Sequence, residues 1–396
     1  MTNFFYLTLF MLLSSTQVSA LGVTEAVVKG KGFTKEFPKE LGQISLENAA
    51  DLCEVAKNTQ HYLNAYTEDN FAVHAGSMID KNLTLGRVKK TLSFICKVNQ
   101  EDSRNKKASR LAQSEFLSQH FDFYRWSPDK SSATAIANKS TNEVKSRLLN
   151  SIPDQEIFLT KYYTKLLDGS SVQTQKFNQA LYAIPFDEKE LTLVQADKKR
   201  SQLNRYKYTR QQVISGALVK NDIAKPLIWL SEEALHDVLL QGTGVLKVDG
   251  KIRYFNVHRN NGIAYDYSIG KREQARYWYF IETPEIMGYG HNQQSKIAIK
   301  PQVTFAGNVA DLGLGKLIMV SYLVKDESST ANVQTKRVSR LGVLADQGGA
   351  FDNNLFQLDL LVDSYRGWQD YHQANKNLPD YAQAWILLLK GKYSEY

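Results

Sequence analysis

Apolar residues recur at helical spacing from Ser45 onward. Leu46, Ala49, Ala50, Leu52, Val55 and Ala56 fall on one face, the mark of an amphipathic helix. Leu85, Val88, Leu92 and Ile95 predict a second helix. Leu111, Phe116 and Leu117 predict a third near Ser109–His120. Residues 21–44, with Gly30, Gly32 and Pro38, read as loop, and the Ser-, Thr-, Asn-, Lys- and Ala-rich residues 127–145 read as a mobile linker. From about Ile157 the pattern becomes one of short strands and turns, rich in Tyr, Val, Ile and Thr. The predicted strands are Phe158–Tyr163, Ala180–Ile184, Gly244–Val248, Arg253–Val257 and Leu317–Val324. Asp249-Gly250 suits a type I′ turn and predicts a hairpin across Val248–Ile252. One further helix is predicted from Thr209. No internal repeat is found.

Residues 4–13, FFYLTLFMLL, form an apolar run too short for a bilayer, which needs roughly 20 residues. Val18-Ser19-Ala20 supplies small residues at the end of that run, so residues 1–20 read as a cleaved secretory signal. No Cys stands there to take a lipid, so a soluble protein outside the cytoplasm, not a lipoprotein, is expected. The chain has 396 residues, enough for two domains. Its net charge of +8 suits an anionic partner without choosing one. The two cysteines, Cys53 and Cys96, are read as a disulfide between the first two helices, with two buried free thiols as the alternative. No CxxC or HxxxH spacing supports zinc. His236, His258 and His291 form no triad or ligand set, and no phosphate-binding loop or GxSxG elbow is present. The segment ADKKRSQLNRYKYTR, ending at Arg210, is basic with interleaved tyrosines; a solvated charged loop is the expectation, not a nucleic-acid site.

Four short motifs carry candidate chemistry: Tyr162-Tyr163-Thr164, Gln241-Gly242-Thr243-Gly244, Asn261-Gly262 with Tyr265 through Gly270, and Asp346-Gln347-Gly348-Gly349-Ala350. Amide and hydroxyl groups beside glycine suit a sugar, because glycine lets the backbone come close. Asp359 follows the last motif among Leu355, Phe356, Leu358, Leu360, Leu361 and Val362. A general acid must hold its proton near neutrality, whereas a model Asp has a pKa of about 3.9; apolar neighbours raise it. Asp352, in a turn, and Asp363 are weaker candidates.

In this order, the motifs resemble the membrane-bound lytic murein transglycosylase A (MltA) family, over roughly Phe116 to Leu389. Lys165 stands where that family usually has proline, Thr243 where it has serine, and Asp359 lies two residues beyond the usual spacing. The resemblance is weakest between Arg272 and Gln302. It implies an α+β, mainly β fold: a double-psi β-barrel domain, an inserted smaller β-rich domain and N-terminal helices. The boundaries it suggests are 21–164 for the helices and first barrel part, 165–293 for the insert and 294–396 for the rest of the barrel. It implies cleavage of the bond between N-acetylmuramic acid and N-acetylglucosamine without water, leaving 1,6-anhydro ends, by a monomer that needs no cofactor or metal. Asp359 would be the acid and then the base, and Asp346 its support. Tyr163, Thr164, Gln241, Gly242, Thr243, Gly244, Asn261, Gly348, Gly349 and Ala350 would meet peptidoglycan strands in the periplasm. The rival readings are a non-catalytic glycan-binding protein on the same fold and a hydrolytic muramidase.

Overall fold

Asn48 starts the first helix by accepting the N–H groups of Ala50 and Asp51 on its side-chain oxygen. The helix therefore runs Ala49–Ala65, and Ser45, read as its beginning, instead ends the strand Gln43–Ser45. Thr84 caps the second helix, Leu85–Arg104, in the same way. Leu52, Val55, Ala56, Val88, Leu92 and Ile95 are all buried, which is the face that the periodicity marked. Cys53 and Cys96 join the two helices as a disulfide with Cα atoms 4.7 Å apart. The computed structural model describes residues 32–46, 48–325, 334–348, 351 and 353–391. The predicted signal, residues 1–20, lies outside them, as do Gly349, Ala350 and Asp352. No helix among the described residues is long and apolar enough to cross a membrane.

Several local expectations are corrected. The stretch 127–145 is not a linker. It holds helices Lys130–Ala137 and Glu143–Asn150, capped by Asp129 and Asn142. Their Ala133, Ala137 and Leu149 pack with Phe158 and Phe356 in a small core of their own. Polar composition hid the few small apolar positions that a thin helix pair needs. The third helix is split into a turn at Arg110–Ala112 and a helix Ser114–His120. The helix expected from Thr209 stops at Ile214, because Gly216 takes a left-handed conformation and a second short helix, Ala217–Lys220, restarts after it. Part of 21–44 is strand, Gly32–Lys35 and Gln43–Ser45. The basic stretch ending at Arg210 is not simply solvated. Arg205 is buried and paired at 2.8 Å with buried Glu188. Arg210 is buried and donates to the carbonyls of Arg276 and Lys271.

The main sheet has 12 strands. Its centre, in spatial order, is Tyr381–Leu389, Leu317–Lys325, Thr335–Asp346, Thr304–Ala306, Gln357–Tyr365, Ile157–Asp168, Thr243–Val248, Lys251–Asn260 and Trp278–Thr283. Parallel and antiparallel pairs are mixed: Gln357–Tyr365 runs parallel to Ile157–Asp168 and antiparallel to Thr304–Ala306. Ile157 and Phe158 also pair with Ala382 and Tyr381, so the bonding of six strands returns to its start. The predicted hairpin forms, with Asp249 at φ 50° and Gly250 at φ 79°. Two larger cores result. One holds the helices and the strands around Leu317–Val320, Leu358–Val362 and Trp385–Leu389. The other lies within residues 180–280, with Leu181, Leu235, Val238, Leu246, Phe255 and Phe280.

Replacing both cysteines, Cys53→Ser with Cys96→Ser, should lower unfolding stability by about 3–4 kcal/mol, the chain-entropy value for a loop of this length. A urea midpoint equal to that of the parent would show that the bridge does not stabilise the helices.

Candidate active site

Two carboxylates meet at the middle of the main sheet. Ala306 pairs with Asp346 on one side and with Asp359 on the other. The backbones bearing the two acids are thus two strand spacings apart, roughly 9–10 Å. Asp359 also pairs with Thr160 on the next strand. Along that strand, side chains two residues apart share a face, so Tyr162 follows Thr160 on the same side. Its hydroxyl donates to Asp346 Oδ2 at 2.8 Å.

Each acid is half-buried and each is held differently. Asp346 Oδ1 accepts the N–H of Gln347 at 2.8 Å. Burial pushes the Asp346 carboxyl up to about 6, against the pull of Tyr162, Gln347 and the Lys296 charge. Burial also pushes Asp359 up to about 6. Gln357 Nε2, 3.2 Å from Asp359 Oδ1, opposes that rise, the Asp346 charge reinforces it and Lys161 opposes it. Gln357 Nε2 also donates to Thr160 Oγ1 at 2.7 Å. A Cβ added at Gly348 would lie 2.6 Å from the Phe351 ring and 3.9 Å from Asp359 Oδ2. Gly348 therefore lies close to Asp359 and contributes to excluding water from its carboxyl.

A cavity of about 500 Å³ opens beside this pair. Of the residues singled out in the sequence, Tyr163, Thr164, Gln241, Gly242, Thr243 and Asp346 line it. Gly242 ends the helix Glu232–Gln241 in a left-handed conformation at φ 75°, where a side chain is disfavoured. That turn aims Gln241 and Thr243 toward the cavity. Lys165 donates its backbone N–H to Gln241 Oε1 at 3.1 Å, a bond that proline could not make. Its ammonium pairs with Asp237 at 2.5 Å.

Other candidates lie elsewhere. Asp359 is next to the cavity but does not line it, and Gly244 is buried in its strand. Asn261 is buried; its amide donates to the carbonyls of Tyr208 and Ala275 and its oxygen accepts the N–H of Tyr277. Its place is to anchor a turn, and no residue of 261–270 lines the cavity. Asp363 is exposed on the far part of its strand. Among the described residues no three His, Cys, Asp or Glu side chains gather as a metal set.

Sequence reasoning missed one whole wall, formed by Ile286, Met287, Gly288, Tyr289, Gly290, Gln293 and Lys296. A signal existed in Met287-Gly288-Tyr289-Gly290. A Cβ at Gly288 would lie 2.8 Å from the Ala345 carbonyl, and one at Gly290 would lie 1.8 Å from that of Ser295. Tyr289 N–H donates to Ala345 O at 3.0 Å, tying this wall to the strand that carries Asp346. Lys296 reaches the cavity with its pKa lowered by burial, the Asp346 charge opposing the change.

Residues 158–277 match the family model described as MltA specific insert domain. The matched segment spans most of the second core and the part of the cavity lining from Tyr162 to Val257. Solved structures of similar shape include MltA from E. coli with bound chitohexaose, at 15% identity and a TM-score of 0.48, covering 90% of this chain and 94% of that one. A membrane-bound lytic murein transglycosylase from Agrobacterium tumefaciens gives 14%, 0.48, 88% and 96%. MltA from Neisseria gonorrhoeae gives 15%, 0.48, 90% and 97%. No curated protein matches the sequence.

The raised carboxyls should leave a mark on stability. A carboxyl at about 6 in the folded protein and near 3.8 unfolded binds more protons when folded, so stability falls as pH rises from about 4 through about 6. Asp359→Asn should remove part of that loss and raise the unfolding free energy at pH 7 relative to the parent by on the order of 1 kcal/mol, seen as a higher melting temperature, while changing it little at pH 4. Equal differences at both pH values would mean that Asp359 is not desolvated.

Proposed function

We propose that this chain is a lytic murein transglycosylase. The observation that carries the reading is the pair of desolvated carboxyls flanking Ala306 beside an open cavity whose lip belongs to an MltA insert domain. In this mechanism Asp359 gives its proton to the glycosidic oxygen as the C1–O bond of N-acetylmuramic acid breaks, freeing the N-acetylglucosamine 4-hydroxyl. The C6 hydroxyl of the same muramic residue attacks C1, and its proton passes to Asp359. The product carries a 1,6-anhydro ring, and the acid is regenerated. No water is consumed, so no second carboxylate is needed to activate one.

Asp346 has a different task. Tyr162, the Gln347 N–H and Lys296 all favour its ionised form, and its charge then helps Asp359 keep a proton. Gln241, Thr243 and Gln293 offer amides and a hydroxyl to the sugar. On this reading the fold is a double-psi barrel with residues 165–293 inserted, a view supported by the closed bonding of six strands and the separate second core. The exported protein, free of residues 1–20, would act as a periplasmic monomer on peptidoglycan. The binding-module alternative draws on one fact: Asp359 is not among the residues that line the cavity.

Digestion of purified sacculi, analysed by mass spectrometry, decides among these. Anhydro ends support the transglycosylase; reducing ends indicate a hydrolase; bound but intact strands indicate a module. Asp359→Asn should cost at least about 10²–10⁴ in rate, whereas Asp352→Asn and Asp363→Asn should be mild. If either mild variant is inactive and Asp359→Asn is not, the assignment of the acid is wrong.

The pH profile of kcat/KM should be a narrow bell near pH 6. The acid limb reports Asp346 gaining a proton and the basic limb Asp359 losing one, although the two limbs belong to the pair. A flat profile from pH 4 to 8 would remove both acids from the mechanism.

A further inference from the structure

The helix Trp368–Asn375 follows the strand that carries Asp359 and begins with a tryptophan left 66% exposed. A single exposed apolar residue is ordinary, whereas a contiguous aromatic patch marks a contact surface. Trp368 does not stand alone. Its ring lies 5.2 Å from Tyr371 and stacks over His372 at 5.9 Å. Tyr371 stacks on Tyr163 at 4.6 Å with an interplanar angle of 21°. Tyr365 stands edge-on to both tyrosines, at 5.7 and 5.8 Å. Tyr163 lines the cavity. A continuous run of aromatic rings therefore leads from the cavity to solvent.

The run is braced rather than loose. Asn375 Nδ2 donates to the Tyr365 hydroxyl at 3.1 Å and to the Tyr371 carbonyl at 2.8 Å. The Tyr371 hydroxyl donates to Lys161 O at 3.4 Å, on the strand beside Asp359. Arg366 forms a forked pair with Asp168 at 3.0 and 3.1 Å just before the helix, which fixes the turn that presents Trp368. A core role does not explain Trp368, because most of its surface faces water. A rigid aromatic surface with polar groups at its rim suits a flat ligand that has an apolar face and hydroxyl edges.

We propose that Trp368, with Tyr371, is an outer stacking platform for a pyranose ring of a glycan strand leaving the cavity past Tyr163. The occupant follows from continuity, since the platform and the cavity share Tyr163. This inference rests on the glycan reading of the cavity and adds a site beyond it. Its consequence is a preference for longer strands, because a short oligosaccharide that fills the cavity does not reach Trp368.

The test is calorimetric binding of chitobiose and chitohexaose to the full chain carrying Asp359→Asn, which prevents turnover, with and without Trp368→Ala. Trp368→Ala should weaken chitohexaose roughly five- to thirtyfold, the usual effect of truncating an aromatic anchor, and leave chitobiose unchanged. Trp368→Phe should restore most of the loss, which separates stacking from misfolding. Chitohexaose should also quench tryptophan fluorescence in the protein that retains Trp368 and do so less in Trp368→Ala. Unchanged chitohexaose affinity in Trp368→Ala, or equal weakening of both sugars, overturns the platform while leaving the cavity reading intact. Absence of binding by either protein overturns the glycan reading and the platform with it.

Discussion

The strand Ile157–Asp168 is the constraint on which the rest depends. Its first residues, Ile157 and Leu159, sit in the core beneath the helices, and Leu167, near its end, packs against the second core. It pairs with the Asp359 strand along most of its length and with Thr243–Val248 at its end. One continuous element therefore sets the distance between the two cores and carries Tyr162, Tyr163 and Thr164 across the gap. A shift of one residue in its pairing would turn Tyr162 away from Asp346, because side chains alternate faces along a strand. The hydrogen bond between those two side chains is thus a product of register rather than of local sequence.

The same strand accounts for the electrostatic character of the site. It covers the Asp359 backbone on one side while the short strand Thr304–Ala306 covers the other, and Gly348 lies close to the carboxyl. Among the described residues neither acid has a guanidinium hydrogen-bonded to it. Each is held by neutral donors, Tyr162 and a backbone N–H for Asp346 and Gln357 for Asp359. Neutral donors leave a carboxyl able to take up and release a proton in the mildly acidic range, whereas a tight ion pair would fix it as an anion.

Much of this was legible in the sequence where periodicity or glycine chemistry was strong. The faces of the first two helices and the Asp249-Gly250 hairpin came from local patterns. Gly242 ends its helix in the left-handed conformation that glycine commonly supplies at such ends. What stayed hidden was non-local. Nothing in the sequence marked Lys296, which the fold brings to the cavity. Arg205 and Arg210 read as solvated because nothing in their neighbourhood reveals Glu188 or the carbonyls near Arg276. Asn261 read as a sugar contact because an exposed amide and a buried anchor have the same letter; its burial and four backbone partners decide between them.

The wall at Gly288 and Gly290 sets a limit on how this cavity can change. There the main chain of one segment lies against the carbonyl of Ala345 and folds back on Ser295 with no space for a side chain. The course of the main chain is therefore fixed there, while the side chains it carries to the cavity, Met287, Tyr289, Gln293 and Lys296, can still be exchanged. Adaptation to a bulkier or slimmer ligand would come from side chains on both banks, Gln241 and Thr243 on one and Gln293 and Lys296 on the other. The cavity behaves like a mould whose frame is fixed and whose inserts can be changed.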